Sequence, residues 1–201
     1  MTIIGLTGGI ASGKTTVARH WEDLGAYVMY ADAVAKSLMT TDPMLIQALK
    51  DTFGPETYGP DGRLNKPHLR REAFEKGRVE RLNQLVHPAV FRETRRLIQE
   101  KKGEGWPIFV KEAALLLKEG RPEGFDAIVL VDAPEQQRIR RIIRRDALPE
   151  AEVRSRIRSQ QSSRELRAMS DIIIENTGPP EALKQEAERV FQRLSPTSGT
   201  S

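Results

Sequence analysis

The chain has 201 residues, long enough for one substantial core with small appended subdomains, and carries 32 Lys and Arg against 28 Asp and Glu, a net charge of +4. It contains no cysteine, which excludes disulfides, thiolate metal sites and cysteine nucleophiles, and its three histidines, His20, His68 and His87, lack zinc-site spacing. No run approaches 18 apolar residues, so no transmembrane helix is expected.

Residues 2–7, Thr-Ile-Ile-Gly-Leu-Thr, are short, β-branched and apolar, and predict a buried parallel strand. A strand starting at residue 2, with Lys14 soon after, leaves no signal-peptide pattern, and the expected compartment is the cytoplasm. Gly8-Gly9-Ile10-Ala11-Ser12-Gly13-Lys14-Thr15 fits G-x-x-x-x-G-K-[ST], and residues 15–24 read as the helix that should follow it. Gly25 stops that helix and residues 26–30 predict a second strand, with Asp32 just beyond and a further helix starting over 33–39. From about Thr40 to Gly105 no good strand appears. Asp42-Pro43 and Asn65-Lys66-Pro67 open helices, residues 54–62 are dense in turn formers, and a long helical pattern over 78–101 should break or kink at Pro88. Strands resume at 106–110, 127–131 and 171–174. Between the last two lie a helix rich in arginine from 135 and another basic helix over roughly 150–165. A closing helix spans 181–194, and the small polar residues Ser195 to Ser201 should fray.

Strands linked by helical crossovers imply an α/β fold, with a parallel five-stranded sheet covered on both faces. The expected division is a core of 1–32, 106–137 and 166–201, a helical acceptor-binding insertion of 33–105, and a helical lid of 138–165. Ligand positions then gather at the carboxyl ends of the strands: the glycine loop, Asp32, Glu112, Asp132 and Asn176.

The loop's residue types suit a polyphosphate. Its glycines let the backbone approach an anion, and successive N–H groups at a helix N-terminus point at it. Gly9, Ile10, Ala11, Ser12, Gly13, Lys14, Thr15 and Thr16 are therefore the expected nucleotide-binding residues, with Lys14 on the outer phosphates and the Thr15 hydroxyl on Mg²⁺. A nucleoside triphosphate can serve a switch, a motor or a kinase. The N-K-x-D base-reading motif of guanine-binding switches is absent, and a motor would usually be larger. A helical insertion after strand two and paired arginine-rich helices after strand four suit an acceptor pocket and a cationic lid. Phosphoryl transfer needs one carboxylate to orient the acceptor hydroxyl and take its proton. Asp32 is the first choice, against a competing reading as a helix N-cap; Asp132, at the end of a Walker-B-like strand, and Glu112 are rivals. Arg141 and Arg145, four apart, share a helix face. His87 has a competing structural reading, and Leu115-Leu116-Leu117 is read as packing. The basic balance alone is weak evidence for a nucleic-acid partner, because the arginines are interspersed with acids and no RNA-binding aromatic signature is present.

Several motifs in order, over nearly the whole chain, resemble the dephospho-CoA kinase family, whose fold is the three-layer P-loop NTPase fold. They are Leu6–Thr15; Leu24-Gly25-Ala26 with Ala31-Asp32-Ala33-Val34-Ala35; Asp61–Asn65; Leu82-Asn83-Gln84-Leu85-Val86-His87-Pro88; Gln161–Arg164; and Ile174–Gly178. The resemblance implies transfer of the ATP γ-phosphoryl to the ribose 3′-hydroxyl of dephospho-CoA, with Mg²⁺, by a monomer or weak homo-oligomer that uses neither membrane nor nucleic acid. It implies that Asp32 faces the acceptor hydroxyl, that Lys14, Thr15, Arg141 and Arg145 serve the phosphates and metal, and that Asn176 and Gly178 lie near adenine. Lys66 and His87 are the expected substrate-side residues. Three departures stand out. Tyr30 replaces the first of two family acids, Lys66 stands where the family has Arg and so loses a planar fork of donors, and the family's P-L-L-x-E segment, matched either by Leu115–Glu119 or by a start at Ala114 that misses the glutamate by one, has no proline here. The alternatives are another P-loop nucleoside or metabolite kinase, and a nucleic-acid-stimulated P-loop ATPase.

Overall fold

A computed structural model describes residues 1–196; Thr197–Ser201, where fraying is expected, lie outside the described residues. In chain order the elements are β1 (Thr2–Thr7), α1 (Lys14–Asp23), β2 (Tyr27–Tyr30), α2 (Ala31–Thr41), α3 (Pro43–Phe53), α4 (Lys66–Leu69), α5 (Val79–Gly103), β3 (Ile108–Glu112), β4 (Ala127–Asp132), α6 (Glu135–Asp146), α7 (Glu150–Arg158), α8 (Ser163–Ala168), β5 (Ile172–Glu175) and α9 (Pro180–Leu194). They form two compact units, one of Met1–Met29 with the chain from Glu100 onward, the other of Tyr30–Gln99.

The first unit is built on the sheet, whose strand order is β2-β3-β1-β4-β5. β1 pairs in parallel with both β3 and β4, and β4 with β5, so the expected parallel five-stranded sheet is found. All six residues of β4 are buried. Ile128 and Leu130, on one face, pack with Leu117 and with Leu166 of α8, while Val129 and Val131, pointing the other way, are also fully buried. Burial on both faces is why the strand reads as an unbroken apolar run rather than an alternating one. α1 and α9 are tied together by Trp21, which is fully buried, donates from its indole nitrogen to the Ala187 carbonyl at 2.8 Å and meets the Phe191 ring. α1 ends at Asp23, and Gly25 follows with φ +96°, the left-handed stop that a side chain would resist. The basic helix expected over 150–165 is instead two, α7 and α8. Ser162 breaks it by capping α8: its hydroxyl accepts from the Glu165 amide at 3.2 Å, and the Glu165 carboxylate accepts from the Ser162 amide at 2.8 Å.

The second unit holds α2, α3 and α4, a 3₁₀ turn at Pro55–Thr57, a π-helical turn at Arg70–Glu75 and most of α5, around Leu45, Leu49, Phe53, Leu69, Leu82, Val86 and Val90. Asp42 caps α3, accepting from Met44 at 2.9 Å and Leu45 at 3.2 Å ahead of Pro43 in the first turn, and its other oxygen takes Arg92 of α5 at 3.0 Å. Asn65 caps α4 through the His68 amide. Two expectations are corrected here. α2 begins at Ala31 rather than near 33, with Tyr30 at the cap position, so Asp32 lies inside the first helical turn and is not its N-cap. Of the break or kink expected at Pro88, the break does not occur: α5 continues through it from Val79 to Gly103. A proline inside a helix costs about 3 kcal/mol. Here Pro88 is exposed, and Val86, Ala89 and Val90 beside it are buried, so packing of the neighbouring residues outweighs the lost N–H donor. Among the described residues no helix is long and apolar enough to cross a membrane.

Candidate active site

The glycine loop leaves the carboxyl end of β1 and turns into α1, and the start of that helix is open to an anion. Thr16 and Val17 already donate to the Gly13 carbonyl, whereas the amides of Lys14 and Thr15 have no partner among the described residues. Gly13 takes φ +106°, and a Cβ there would stand 2.4 Å from the Asn176 amide nitrogen, so both the turn and the close approach require glycine. Thr15 and Thr16 present exposed side chains on the first turn of α1. The Lys14 ammonium is held 3.6 Å from a carboxylate oxygen of Glu112, which is nearly buried at the end of β3. The register that sets Glu112 beside Leu6 of β1 places that acid next to the loop.

A second layer braces the loop. Asn176, buried just past β5, donates to the Ser12 carbonyl at 2.7 Å. Its own side-chain oxygen accepts from Arg141 of α6 at 3.1 Å, and the same guanidinium reaches the Ala11 carbonyl at 3.2 Å. Three separated segments therefore converge on residues 11–14, and they bring Lys14, Arg141 and Asn176 together at the loop. Gly178 lies in the turn before α9, close to Ala182. Arg145 is directed elsewhere: it forms a two-pronged pair with the adjacent Asp146 at 2.7 and 2.8 Å, which raises its pKa above the ordinary guanidinium range. Asp132, the rival acid, is fully engaged. Its two oxygens accept from the Ala133 amide, the Ser163 hydroxyl and Arg167. Arg167 bridges onward to Glu175 at 2.7 Å, and hydrogen bonding to Glu175 and then Asp132 raises its pKa. These bonds make Asp132 a brace across β4, α8 and β5.

Sequence reasoning missed Gln160, and it placed Arg138 only within the group Arg138 to Arg145, of which one or two were expected to touch phosphate. Gln160, after α7, accepts from the Ile10 amide at 2.9 Å, and the Arg138 guanidinium lies against Gly9. Gln160 immediately precedes the motif recognised at 161–164, and Arg138 sits one turn before Arg141; in neither case does local sequence give the partner. The Leu115-Leu116-Leu117 row is packing at two positions: Leu117 is fully buried and Leu116 packs on it, while Leu115 is 47 % exposed.

The second unit carries the other expected site residues on three different elements. Asp32 is exposed on the first turn of α2, Lys66 is exposed at the first position of α4, and His87 is half-buried midway along α5.

A parallel sheet with a phosphate-type loop after β1, a lysine at the head of α1 and arginine on the helix after β4 defines a P-loop nucleotide-binding protein. Comparison with known proteins narrows the class. The family model described as dephospho-CoA kinase matches residues 2–181. The dephospho-CoA kinase of Salinibacter ruber is 41% identical over 95% of this chain and 96% of its own, and that of Corynebacterium diphtheriae 37% over 97% and 98%. A crystal structure of a Thermus thermophilus protein superposes with a TM-score of 0.78 at 34% identity, covering 97% of this chain and 98% of that one. The dephospho-CoA kinase from Campylobacter jejuni, 22% identical, shares the fold with a TM-score of 0.65 over 96% of this chain and 97% of its own. The chain belongs to the dephospho-CoA kinase family, and it is an ATP-dependent kinase.

Proposed function

We propose that the chain transfers the γ-phosphoryl of ATP to the ribose 3′-hydroxyl of dephospho-CoA, giving coenzyme A and ADP. The observation that carries the reading is the loop at residues 8–15: unpartnered amides at the start of α1, a lysine held beside them, and a scaffold of Asn176 and Arg141 that fixes the backbone in advance. Phosphoryl transfer asks for positioning and charge neutralisation more than for covalent help, and a preformed cradle supplies both without reorganising. In this reading the loop of residues 9–16 holds the β-phosphate through its open amides, those of Lys14 and Thr15 among them, and the Lys14 ammonium neutralises the outer phosphates. Arg141 answers charge on the moving phosphoryl group, and Arg145 joins it on releasing Asp146. Asn176 and Gly178 flank the adenine. The carboxylate of Asp32 accepts the hydrogen bond of the acceptor hydroxyl and takes its proton as the new O–P bond forms. Lys66 and His87 contribute to binding dephospho-CoA. Residues 33–105 form the acceptor part and 138–165 the lid.

The donor set fits Mg²⁺. Thr15 offers one hard hydroxyl oxygen, and no cluster of three or more His, Cys, Asp or Glu able to hold a metal occurs among the described residues. That suits an ion that keeps several waters and binds chiefly through substrate phosphates. When bound there, Mg²⁺ would neutralise charge across the β- and γ-phosphates. We further place the enzyme in the cytoplasm, where a chain without cysteine needs no oxidising environment, as a monomer or weak homo-oligomer.

The test is ADP formation with ATP and dephospho-CoA, measured against a panel of nucleosides, sugars and RNA. The expected result is turnover with dephospho-CoA far above every other acceptor. Preferred turnover of another alcohol, or ATP hydrolysis stimulated by RNA without use of dephospho-CoA, would overturn the assignment.

A further inference from the structure

The geometry points to Arg138 as a phosphate-binding residue that reads the terminal phosphate of the nucleotide and so sets the preference for triphosphate over diphosphate. The inference rests on the nucleotide site proposed above, and goes beyond it by assigning a second, separate cation to the opposite flank of the loop.

The two flanks of the loop are built differently. At Gly13 the backbone is met by Asn176, with Arg141 behind it. At Gly9 it is met by Arg138, whose terminal nitrogen would stand 2.2 Å from a Cβ placed there, with the Gln160 side-chain oxygen 3.5 Å from the same point. Gln160 holds the Ile10 amide, so that flank is already fixed in place. Arg138 and Arg141 are three apart on α6 and therefore emerge on adjoining faces, one to each flank. With the base side of the nucleotide at Asn176, the phosphate tail runs along the loop away from it, towards Gly9.

The pairing of the charges around Arg138 supplies the second argument. Arg138, Arg158 and Arg167 and the acids Asp132, Glu135 and Glu175 are the charged residues that line a cavity of about 450 Å³. Each acid already has a cationic partner other than Arg138: Asp132 and Glu175 share Arg167, and Glu135 pairs with Arg154 at 3.4 Å. Arg138 has no ion pair among the described residues, and its Nε is buried without any hydrogen-bond partner. A guanidinium partly withdrawn from water and left unpaired is costly, and a phosphate oxyanion is the ligand whose geometry its fork matches. Gly9 is what admits it, since any side chain there would meet the guanidinium.

The experiment is equilibrium binding of a non-hydrolysable ATP analogue and of ADP, without acceptor, to the wild type, Arg138→Gln and Arg138→Lys. Loss of charge-assisted bonds to one phosphate predicts that R138Q lowers affinity for the triphosphate by about tenfold or more and leaves ADP within about twofold, and that R138K retains part of the preference. Equal loss for both nucleotides, or an unchanged ratio, would overturn the inference and leave Arg138 as a support of the lid helices. Should R138Q fail to fold, R138K decides: a reduced ATP-over-ADP ratio supports the assignment and an unchanged one refutes it. Wild-type protein that binds neither nucleotide would refute the nucleotide site itself, a result distinguishable from failure of the Arg138 role alone.

Discussion

The sheet-bearing unit and the helical unit place their candidate residues in opposite ways. Around residues 9–14 the groups are interlocked: Asn176 holds Ser12, Arg141 holds Asn176 and Ala11, Gln160 holds Ile10, and Glu112 holds Lys14. In Tyr30–Gln99 the candidates Asp32, Lys66 and His87 stand on three elements, α2, α4 and α5, and the helix caps and the tie to the Met39 carbonyl come from Asp42, Asn65 and Tyr58. A preformed anion site must keep its donors aimed before the ligand arrives, so its architecture and its chemistry share residues. In the helical unit the two tasks are separable. Substitutions in the first unit should therefore damage folding and nucleotide binding together, and substitutions in the second should damage one or the other.

The largest effects test the chemistry. Lys14→Ala should lower turnover by about a hundredfold or more, the scale for removing a key electrostatic donor. Asp32→Asn should also cost about a hundredfold or more in kcat, but with ATP affinity and melting temperature unchanged, because an exposed carboxylate in a helix's first turn supports little else. Near-normal kcat in that variant would move the proton-accepting role to Glu112, since Asp132 is committed to Arg167 and Ser163. Next comes Asn176→Ala, which removes the 2.7 Å donor to the Ser12 carbonyl and one of the acceptors of Arg141. Stability should fall by about 1–3 kcal/mol and KM for ATP should rise about tenfold, read by chemical denaturation and initial rates. A loss of one without the other would break the proposed sharing of residues.

Smaller effects sharpen the contrast from the other side. Asp42→Ala removes the cap of α3 and the Arg92 contact, and should cost about 1 kcal/mol of stability with kcat unaltered. The smallest is a pH effect. Burial pushes the Tyr58 phenol, which donates to the Met39 carbonyl at 2.5 Å, up to about 12. The folded state thus keeps a proton that the unfolded chain releases near pH 10. Its contribution is complete below that value and is lost as pH rises from about 10 towards 12, so stability should decline over this window. The Tyr58→Phe variant, compared with the wild type by denaturation across that window, should show a shallower decline.

The fold was legible wherever local pattern and burial agree. All five strands, the loop and its helix, and the caps at Asp42 and Asn65 follow from runs of apolar residues, glycine spacing and cap chemistry. The break expected at Pro88 is absent because a local penalty says nothing of the packing that offsets it. The long helix over 150–165 misled because basic composition obscured the Ser162–Glu165 box that divides it. In the site, the motif named Lys14 and Thr15 and the resemblance named Arg141 and Asn176. The partners of the loop on the Gly9 side were invisible, since Arg138 and Gln160 meet it from more than a hundred residues away and neither has a local signature.

The most direct measurement is a crystal structure with a non-hydrolysable ATP analogue and dephospho-CoA bound together. The account predicts the β-phosphate within hydrogen-bond distance of the loop amides, Lys14 on the outer phosphates, and a carboxylate oxygen of Asp32 in contact with the ribose 3′-hydroxyl. Phosphates bound away from residues 8–15, or an Asp32 carboxylate turned from an acceptor that is plainly in place, would contradict it.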